Sequence, residues 1–280
     1  MAILYIVATP IGNLKDITLR ALETLDSVDL IAAEDTRVAK KLLTAHGINK
    51  PVISYHQHNC AQRDPEILAK LKAGQNSALI TDAGTPLVSD PGHSLVTLCR
   101  ANGIRVVPVP GVSAAIASLS VNDFNASKFI FEGFLPPKKS ARVQRLKKLS
   151  ILDYLIILYE AKHRVIDLLE DVQSTFGPGR NIMVAREITK LHEQIISGTV
   201  EQIIEKFKDQ TIPCKGEFVI LLQGDDGSLS RQLEEDKIRI LFSKITPVMA
   251  HRDAVEIGML MSTLQKNSLY SLASEYYDED

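Results

Sequence analysis

Within roughly the first 110 residues, short runs rich in Val, Ile, Leu and Ala recur at 3–8, 28–32, 52–55, 78–81 and 105–109, with helix-like stretches between them. Strands that alternate with helices need crossovers that cover the faces of a sheet, so the pattern predicts an α/β domain with a mostly parallel sheet. The helix punctuation agrees. Thr36 suits the cap of a helix that stops near Gly47, and Asp64-Pro-Glu66 suits the start of another that stops at Gly74, with Pro65 at its first helical position. Ligands on such sheets bind beyond the carboxyl ends of the strands. Residues 9–13, 34–37 and 82–86 all fall there, so three loops are expected to meet on one rim.

The pattern changes after Pro108-Val-Pro110-Gly-Val-Ser-Ala-Ala115, which breaks the fifth run and opens a small-residue helix suited to a crossover into a second domain. Strands are expected at 129–131, 154–159, 181–185, 193–197 and 217–223, and helices at 140–149, 163–176 and 200–208. Two of these strands are split only by residues 189–192, which favours a partly antiparallel sheet. From residue 226 the pattern is helical, and the acidic end 275–280 is expected to fray. The predicted organisation is 1–112 and 113–225 as two α/β domains and 226–280 as a small C-terminal helical segment.

A chain of 280 residues with 45% hydrophobic content can bury such cores. The apolar run at 3–8 is too short to span a bilayer and has no basic flank, so a cytoplasmic protein without membrane attachment is expected. Cys60, Cys99 and Cys214 are odd in number and widely spaced, which argues against a disulfide framework or a four-cysteine zinc site. With a net charge of −2, any nucleic-acid surface must be local.

Thr81-Asp-Ala-Gly-Thr-Pro-Leu-Val-Ser-Asp-Pro-Gly92 follows the fourth run and is the strongest candidate for a ligand loop. Gly84 and Gly92 allow close approach and unusual backbone angles, Pro86 and Pro91 stiffen the turns, and Asp82, Thr85, Ser89 and Asp90 supply polar groups. It lacks the Gly-Lys-Ser/Thr ending of a P-loop, and the first strand runs into Thr9-Pro-Ile-Gly-Asn13 rather than a G-x-G-x-x-G turn, which disfavours nucleoside triphosphates and Rossmann dinucleotides.

Ala33-Glu-Asp-Thr-Arg37 puts two acids and a guanidinium at a strand end, where they serve either as an acid–base group or as a helix cap in which Arg37 neutralises Glu34. His56 and His58 share one face of an extended segment with Cys60. No closing ligand pair accompanies them, so substrate contact, base work or simply exposed polar loop positions are expected rather than a metal, and no metal is expected at all. Tyr159-Glu-Ala-Lys-His-Arg164 and Ala185-Arg-Glu-Ile-Thr-Lys190 add dense charge at two strand ends of the second domain. Lys138, Lys139, Arg142 and Arg145, followed by Lys147 and Lys148, form an acid-free basic stretch suited to RNA phosphates.

Six ordered motifs, Thr9-Pro-Ile-Gly-Asn-Leu14, Ala33-Glu-Asp-Thr-Arg37, Ser54-Tyr-His-Gln-His-Asn59, Asp82 through Gly92, Pro110-Gly-Val-Ser-Ala-Ala115 and Ala185-Arg-Glu-Ile-Thr-Lys190, span nearly the whole chain. Together they resemble the tetrapyrrole methylase superfamily, and within it the branch that methylates bacterial small-subunit (16S) rRNA. The resemblance implies two α/β domains with S-adenosyl-L-methionine in the cleft between them, a homodimer, and 2′-O-methylation of a cytidine ribose in the decoding region. It assigns the cofactor to Asp82, Ala83, Gly84, Thr85, Val88, Ser113 and Ala114, with Pro10, Tyr159 and Ala185 lining the same cleft. One motif departs from the family: Glu-Ser-Pro-His-Arg is here Glu160-Ala-Lys-His-Arg164, which removes a backbone constraint and adds a charge at Lys162.

Methyl transfer to a hydroxyl needs alignment and a group that controls one proton. Glu34, His56, His58, Glu160 and Glu187 are candidates for a base, and Arg37, Arg164, Arg186 and Lys190 for a nearby cation, with no ranking among them. Two other readings compete. A tetrapyrrole-type small-molecule C-methyltransferase would not need the basic stretch or the C-terminal helices, and a non-catalytic cofactor- or ribosome-binding module would not need charge at every rim.

Overall fold

The structure, a computed structural model, describes residues 2–245 and 248–277. The end of the acidic tail, Asp278 to Asp280, lies outside the described residues.

The first half contains β1 (Ile3–Val7), α1 (Leu19–Ser27), β2 (Leu30–Ala33), α2 (Thr36–Ala45), β3 (Val52–Ser54), α3 (Cys60–Lys72), β4 (Ser77–Ile80), α4 (His93–Ala101) and β5 (Arg105–Val109). Its five strands are ordered β3-β2-β4-β1-β5, and every pairing is parallel. Period-2 alternation divides the core. Ile31, Ala33, Ala78 and Ile80 pack under α1 and α2 through Leu25 and Leu43, while Leu30, Ala32 and Leu79 pack under α3 and α4 through Ile67, Leu71 and Leu95. With both faces covered, all residues of β2 and β4 are buried.

Local chemistry moved three boundaries from their expected places. β2 starts two residues late because Val28 closes α1, its N–H bonded to the Thr24 carbonyl. Asp35 rather than Thr36 caps α2, accepting from the Arg37 N–H. α3 begins at Cys60 and carries Pro65 inside it, at the cost of one intrahelical bond. The early turn places Asp64 in the core, where the Tyr55 hydroxyl donates to it at 2.8 Å.

The second half contains α5 (Ala114–Ser120), β6 (Phe129–Phe134), α6 (Lys139–Leu149), β7 (Leu155–Ala161), α7 (Val165–Phe176), β8 (Asn181–Arg186), β9 (Gln194–Thr199), α8 (Val200–Lys208) and β10 (Glu217–Leu222). The sheet order is β6-β7-β10-β8-β9, with β6 and β7 parallel and the other pairings antiparallel. Because β10 runs against both β7 and β8, its first residue Glu217 lies beside Ala161 and near Arg186, so two strand ends and one strand start share an edge. α6, α7 and α8 cover one face through Leu146, Leu168 and Ile203, and Ala115 of α5 packs on the other.

The C-terminal helices α9 (Ser228–Ile245), α10 (His251–Met261) and α11 (Lys266–Ser274) enclose a small core around Phe242, Val255 and Leu269. Asp225 holds the start of α9 by accepting from the Leu229 and Ser230 N–H groups.

Candidate active site

The rim loops of the first sheet are knitted together by short polar contacts. Thr9 and Gly84 exchange backbone N–H···O bonds of 2.9 and 3.0 Å, and the Thr9 hydroxyl donates to the Thr81 carbonyl at 3.0 Å. Asp82 accepts from the Asp35 N–H at 2.9 Å, and the Thr81 hydroxyl donates to Glu34 at 3.1 Å. The Thr85 hydroxyl reaches the Val112 carbonyl at 3.1 Å. A Cβ on Gly111 would stand 2.9 Å from the Ala8 Cβ, so only glycine lets the β5 exit pass this close to β1. The expected convergence of residues 9–13, 34–37 and 82–86 is therefore present, with the 111–114 turn joined to it.

These loops form one wall of a cleft of about 370 Å³ whose other wall is the second sheet. From the first half it is lined by Ile11, Glu34 and residues 81–85 and 88–90, and from the junction by Ser113 and Ala114. Phe134, Tyr159, Glu160, Ala185, Ile188 and Glu217 are on the opposite side. The Tyr159 hydroxyl accepts from the Ala115 N–H at 3.0 Å, which ties the walls together, and burial raises its pKa.

Asp82, Ala83, Gly84, Thr85, Val88, Ser113, Ala114, Tyr159 and Ala185 all line this space. Pro10 does not. It is buried behind the wall, and its neighbour Ile11 takes the lining position. Gly84 adopts φ +82.

The proposed acids and cations separate. Glu34 and Glu160 line the cleft; Arg37, His56, His58, Arg186 and Glu187 do not. Arg37 points into solvent, with 84% of its side chain exposed, and pairs with Asp35 at 2.6 Å rather than neutralising Glu34. Its guanidinium holds the Asp35 carboxyl down at about 2. The His56 and His58 rings are 6.0 Å apart, and the buried His56 Nδ1 has no hydrogen-bond partner. Among the described residues no three His, Cys, Asp or Glu side chains group as a metal site.

Arg186 is buried as a clasp, donating to the Lys215 and His192 carbonyls and to Gln194. Glu187, at φ +52, accepts from Lys190 at 2.8 Å and from the Glu217 N–H at 3.0 Å. Burial pushes its carboxyl up, but those contacts outweigh burial and leave it below the usual range. Glu160 is sealed from solvent, 3.3 Å from Arg164, with Oε1 accepting from the Ala161 N–H and Oε2 accepting no hydrogen bond. Arg164 in turn donates to the Leu135 and Pro136 carbonyls. Lys162 does not line the cleft, so the charge added by the motif departure stays outside it.

The basic stretch is less free than its sequence suggests. Arg142 is buried and bonded to Asp171 at 2.7 Å, and Arg145 forms a two-bond pair with Glu132. Arg142 is therefore not placed to meet phosphate, whereas Arg145 keeps 43% of its side chain exposed beside its carboxylate partner. Lys138 is exposed, and Lys139 is mostly exposed at 3.5 Å from Asp171.

Sequence reasoning counted Asp90 among the polar groups of the ligand loop but named it neither as a cofactor contact nor as a candidate base. Its carboxyl lines the cleft, and burial pushes it up to about 6, against the Thr81 hydroxyl and with the negative charges of Glu34 and Asp82. The available signal was its place in the Gly- and Pro-rich loop. In all, the lining contains five acids, Glu34, Asp82, Asp90, Glu160 and Glu217, and among the described residues no Lys, Arg or His.

Residues 3–204 match the Tetrapyrrole (Corrin/Porphyrin) Methylases. The chain is 47% identical over 280 residues to the Synechocystis protein named ribosomal RNA small subunit methyltransferase I, covering 98% of each. It is 44% identical to the protein of the same name from Haemophilus influenzae, covering 99% of this chain and 98% of that one. Among solved structures it resembles diphthine synthase (TM-score 0.62, 12% identity, covering 79% of this chain and 90% of that one). It also resembles uroporphyrin-III-C-methyltransferase from Thermus thermophilus (TM-score 0.57, 18% identity, 83% and 99% covered). These two likenesses concern the fold alone.

Proposed function

From the premise that the chain belongs to the tetrapyrrole methylase family, we propose that it uses S-adenosyl-L-methionine to methylate the ribose 2′-hydroxyl of a cytidine in the decoding region of small-subunit rRNA. The near full-length relatives named as small-subunit rRNA methyltransferases support the RNA substrate. The observation that carries the chemistry is the cleft itself, with five acids and no cation among its described lining residues. Such a lining favours a ligand with positive charge and hydroxyl donors. A sulfonium cofactor with an ammonium group and a ribose has those properties, so the residues present fit it.

When bound, that cofactor supplies an activated methyl group. The protein's task is alignment and exclusion of water. Ala83 and Gly84 let backbone approach the ligand, Ala114 and Ala185 leave room, and Ile11, Val88 and Phe134 form apolar wall. The bonds from the Thr85 hydroxyl to the Val112 carbonyl and from the Ala115 N–H to the Tyr159 hydroxyl fix the two sides of the space before the ligand arrives. Outside the cleft, Lys138, Lys139, Lys147 and Lys148 are exposed members of the basic stretch available for phosphate, beside the exposed but ion-paired Arg145. So small a contact set predicts weak, salt-sensitive binding of free RNA and a preference for the structured subunit.

The same reading places the protein in the cytoplasm as a homodimer, with 1–112, 113–225 and 226–280 as its working divisions. Mass spectrometry of small-subunit rRNA from cells with and without the protein tests it. One 2′-O-methylated cytidine should disappear on deletion and return when subunits from the deletion strain are treated with purified protein and cofactor. Unchanged ribose methylation would remove the assignment.

A further inference from the structure

The cleft has no cation among its described lining residues, yet the proposed substrate carries a phosphate on each side of its ribose. The 2′-oxygen is bonded to the carbon next to the one that bears the 3′-phosphate. When that oxygen enters the cleft, a phosphodiester therefore stops at the mouth, and whatever neutralises it has to stand on the rim.

Helix α2 leaves the rim directly after β2. Arg37 follows the lining residue Glu34 by three positions, and the Asp35 N–H between them donates to Asp82, another lining residue, at 2.9 Å. The Arg37 guanidinium has its pKa raised first by its bonds to Asp35 and also by the charge of Asp82, which places it beside the mouth. Asp35 fixes that group through Nε and Nη2 and leaves Nη1 without a hydrogen bond among the described residues.

Helical spacing carries the charge onward. Ala39, Leu42 and Leu43 bury one face of α2, while Arg37, Lys40, Lys41 and Thr44 stand exposed on the other at the i, i+3, i+4 and i+7 positions. α2 contains no acid, and neither lysine forms an ion pair among the described residues. In a chain with 34 acids against 32 Lys and Arg, an exposed acid-free face that begins at the mouth departs from the average surface. The opposite wall is built alike, since Lys138 follows the lining residue Phe134 by four positions and Lys139 opens α6. One set of cations thus leaves the mouth from each wall.

We propose that the Arg37, Lys40 and Lys41 face of α2 is a phosphate-binding surface for the rRNA strand that carries the target nucleotide, with Arg37 taking the phosphate nearest the reacting ribose. This role rests on the activity proposed above. Cations outside and acids inside divide the two ligands, so that phosphate binds the rim and the cationic cofactor binds the interior.

A triple variant, Arg37→Gln with Lys40→Gln and Lys41→Gln, tests the surface against a control that removes the same charge elsewhere. The control, Lys72→Gln with Arg100→Gln and Arg105→Gln, takes three exposed cations from the edge of the same sheet where strands start. Binding to small subunits and to protein-free small-subunit rRNA is measured across a salt series. The α2 variant should bind both at least about tenfold more weakly at low salt and lose about 2 from the slope of log affinity against log salt. Lys40→Gln with Lys41→Gln, which leaves the Arg37–Asp35 pair intact, should lose about half as much of that slope, and the control less than about 0.5. In every variant S-adenosylhomocysteine affinity should stay within about twofold of wild type and the melting temperature within about two degrees.

Unchanged affinity and slope in the α2 variants overturns the surface, as does an equal loss in the control, because net charge alone then explains the effect. Loss of subunit binding with full retention of protein-free rRNA binding overturns it too, since the face then meets a ribosomal protein. Wild-type protein that leaves subunit cytidines unmethylated sinks the activity, and the α2 dependence of rRNA binding then decides the surface on its own.

Discussion

On the parallel-sheet wall of the cleft, Glu34, Asp82 and Asp90 have an amide, a hydroxyl and one another for company. On and just behind the antiparallel wall every acid has a cation within reach. Glu160 has Arg164, Glu187 and Glu217 share Lys190, and behind them Asp171 has Arg142. Topology explains part of the difference. Parallel strands all end on one rim, so several loops deliver polar groups to the same place, and none of them has to seal the core. In the second sheet β10 enters where β7 and β8 leave, and charges on adjacent strands become neighbours that neutralise each other. The acids of the first wall make no ion pair among the described residues, and Asp90 is raised by burial and by its acidic neighbours, which points to work done there. Paired charges on the second hold geometry.

The largest expected effect breaks the pairing on the second wall. Arg142→Ala strips the partner from Asp171, whose side chain is 3% exposed. With only the mostly exposed Lys139 left at 3.5 Å, the buried carboxylate loses its close partner, a change that costs up to about 3–5 kcal/mol and is read as a fall in the denaturation midpoint. Lys138→Ala, on an exposed neighbour of the same basic run, should stay within about 0.5 kcal/mol of wild type. It should instead slow methylation of rRNA and flatten its salt dependence. Equal stability in the two variants would show that Arg142 is not structural.

Next in size is the first wall's backbone. A Cβ at Gly84 meets only Ile11 at 3.5 Å and the Val112 carbonyl at 3.8 Å, so space is not the obstacle there. The obstacle is φ +82, which a β-branched residue adopts at a cost of about 1–3 kcal/mol. Gly84→Val should therefore move the loop and weaken cofactor binding at least about tenfold in a protein that still folds. Calorimetry giving wild-type affinity would take this loop out of the cofactor site.

Much of this was legible in the sequence because it rested on period and punctuation. The alternation of apolar runs gave the parallel sheet, and the 189–192 break gave the antiparallel pair. The Gly- and Pro-rich loop marked the rim because a turn of that kind exposes backbone whatever surrounds it. What sequence could not supply was partner choice across long separations. Arg142 and Arg145 read as a free basic run because their partners Asp171 and Glu132 lie on other elements. Pro65 read as a helix start because nothing local shows that Asp64 must reach Tyr55. Asp90 was passed over for Glu34 and the histidines, since its raised pKa comes from burial and from acids brought in by other loops.

The smallest expected effect sharpens the comparison, because it predicts a gain. Asp90 has an ordinary pKa of 3.8 and a folded-state value of about 6. Between these values the folded protein binds more protons at this site than the unfolded chain does. Stability attributable to Asp90 therefore falls as pH rises from about 4 to 6 and stays low above that range. Asp90→Asn removes the ionisable group and its repulsion from Glu34 and Asp82. At pH 7.5 the variant should melt a few degrees above wild type, and the advantage should shrink toward zero as pH falls to 4. Glu160→Gln, on the paired wall, should melt lower at pH 7.5 because Arg164 loses its counter-charge in a buried setting. Opposite signs from two cleft carboxylates would separate the wall that works from the wall that holds, and a fall in melting temperature for both would erase the distinction.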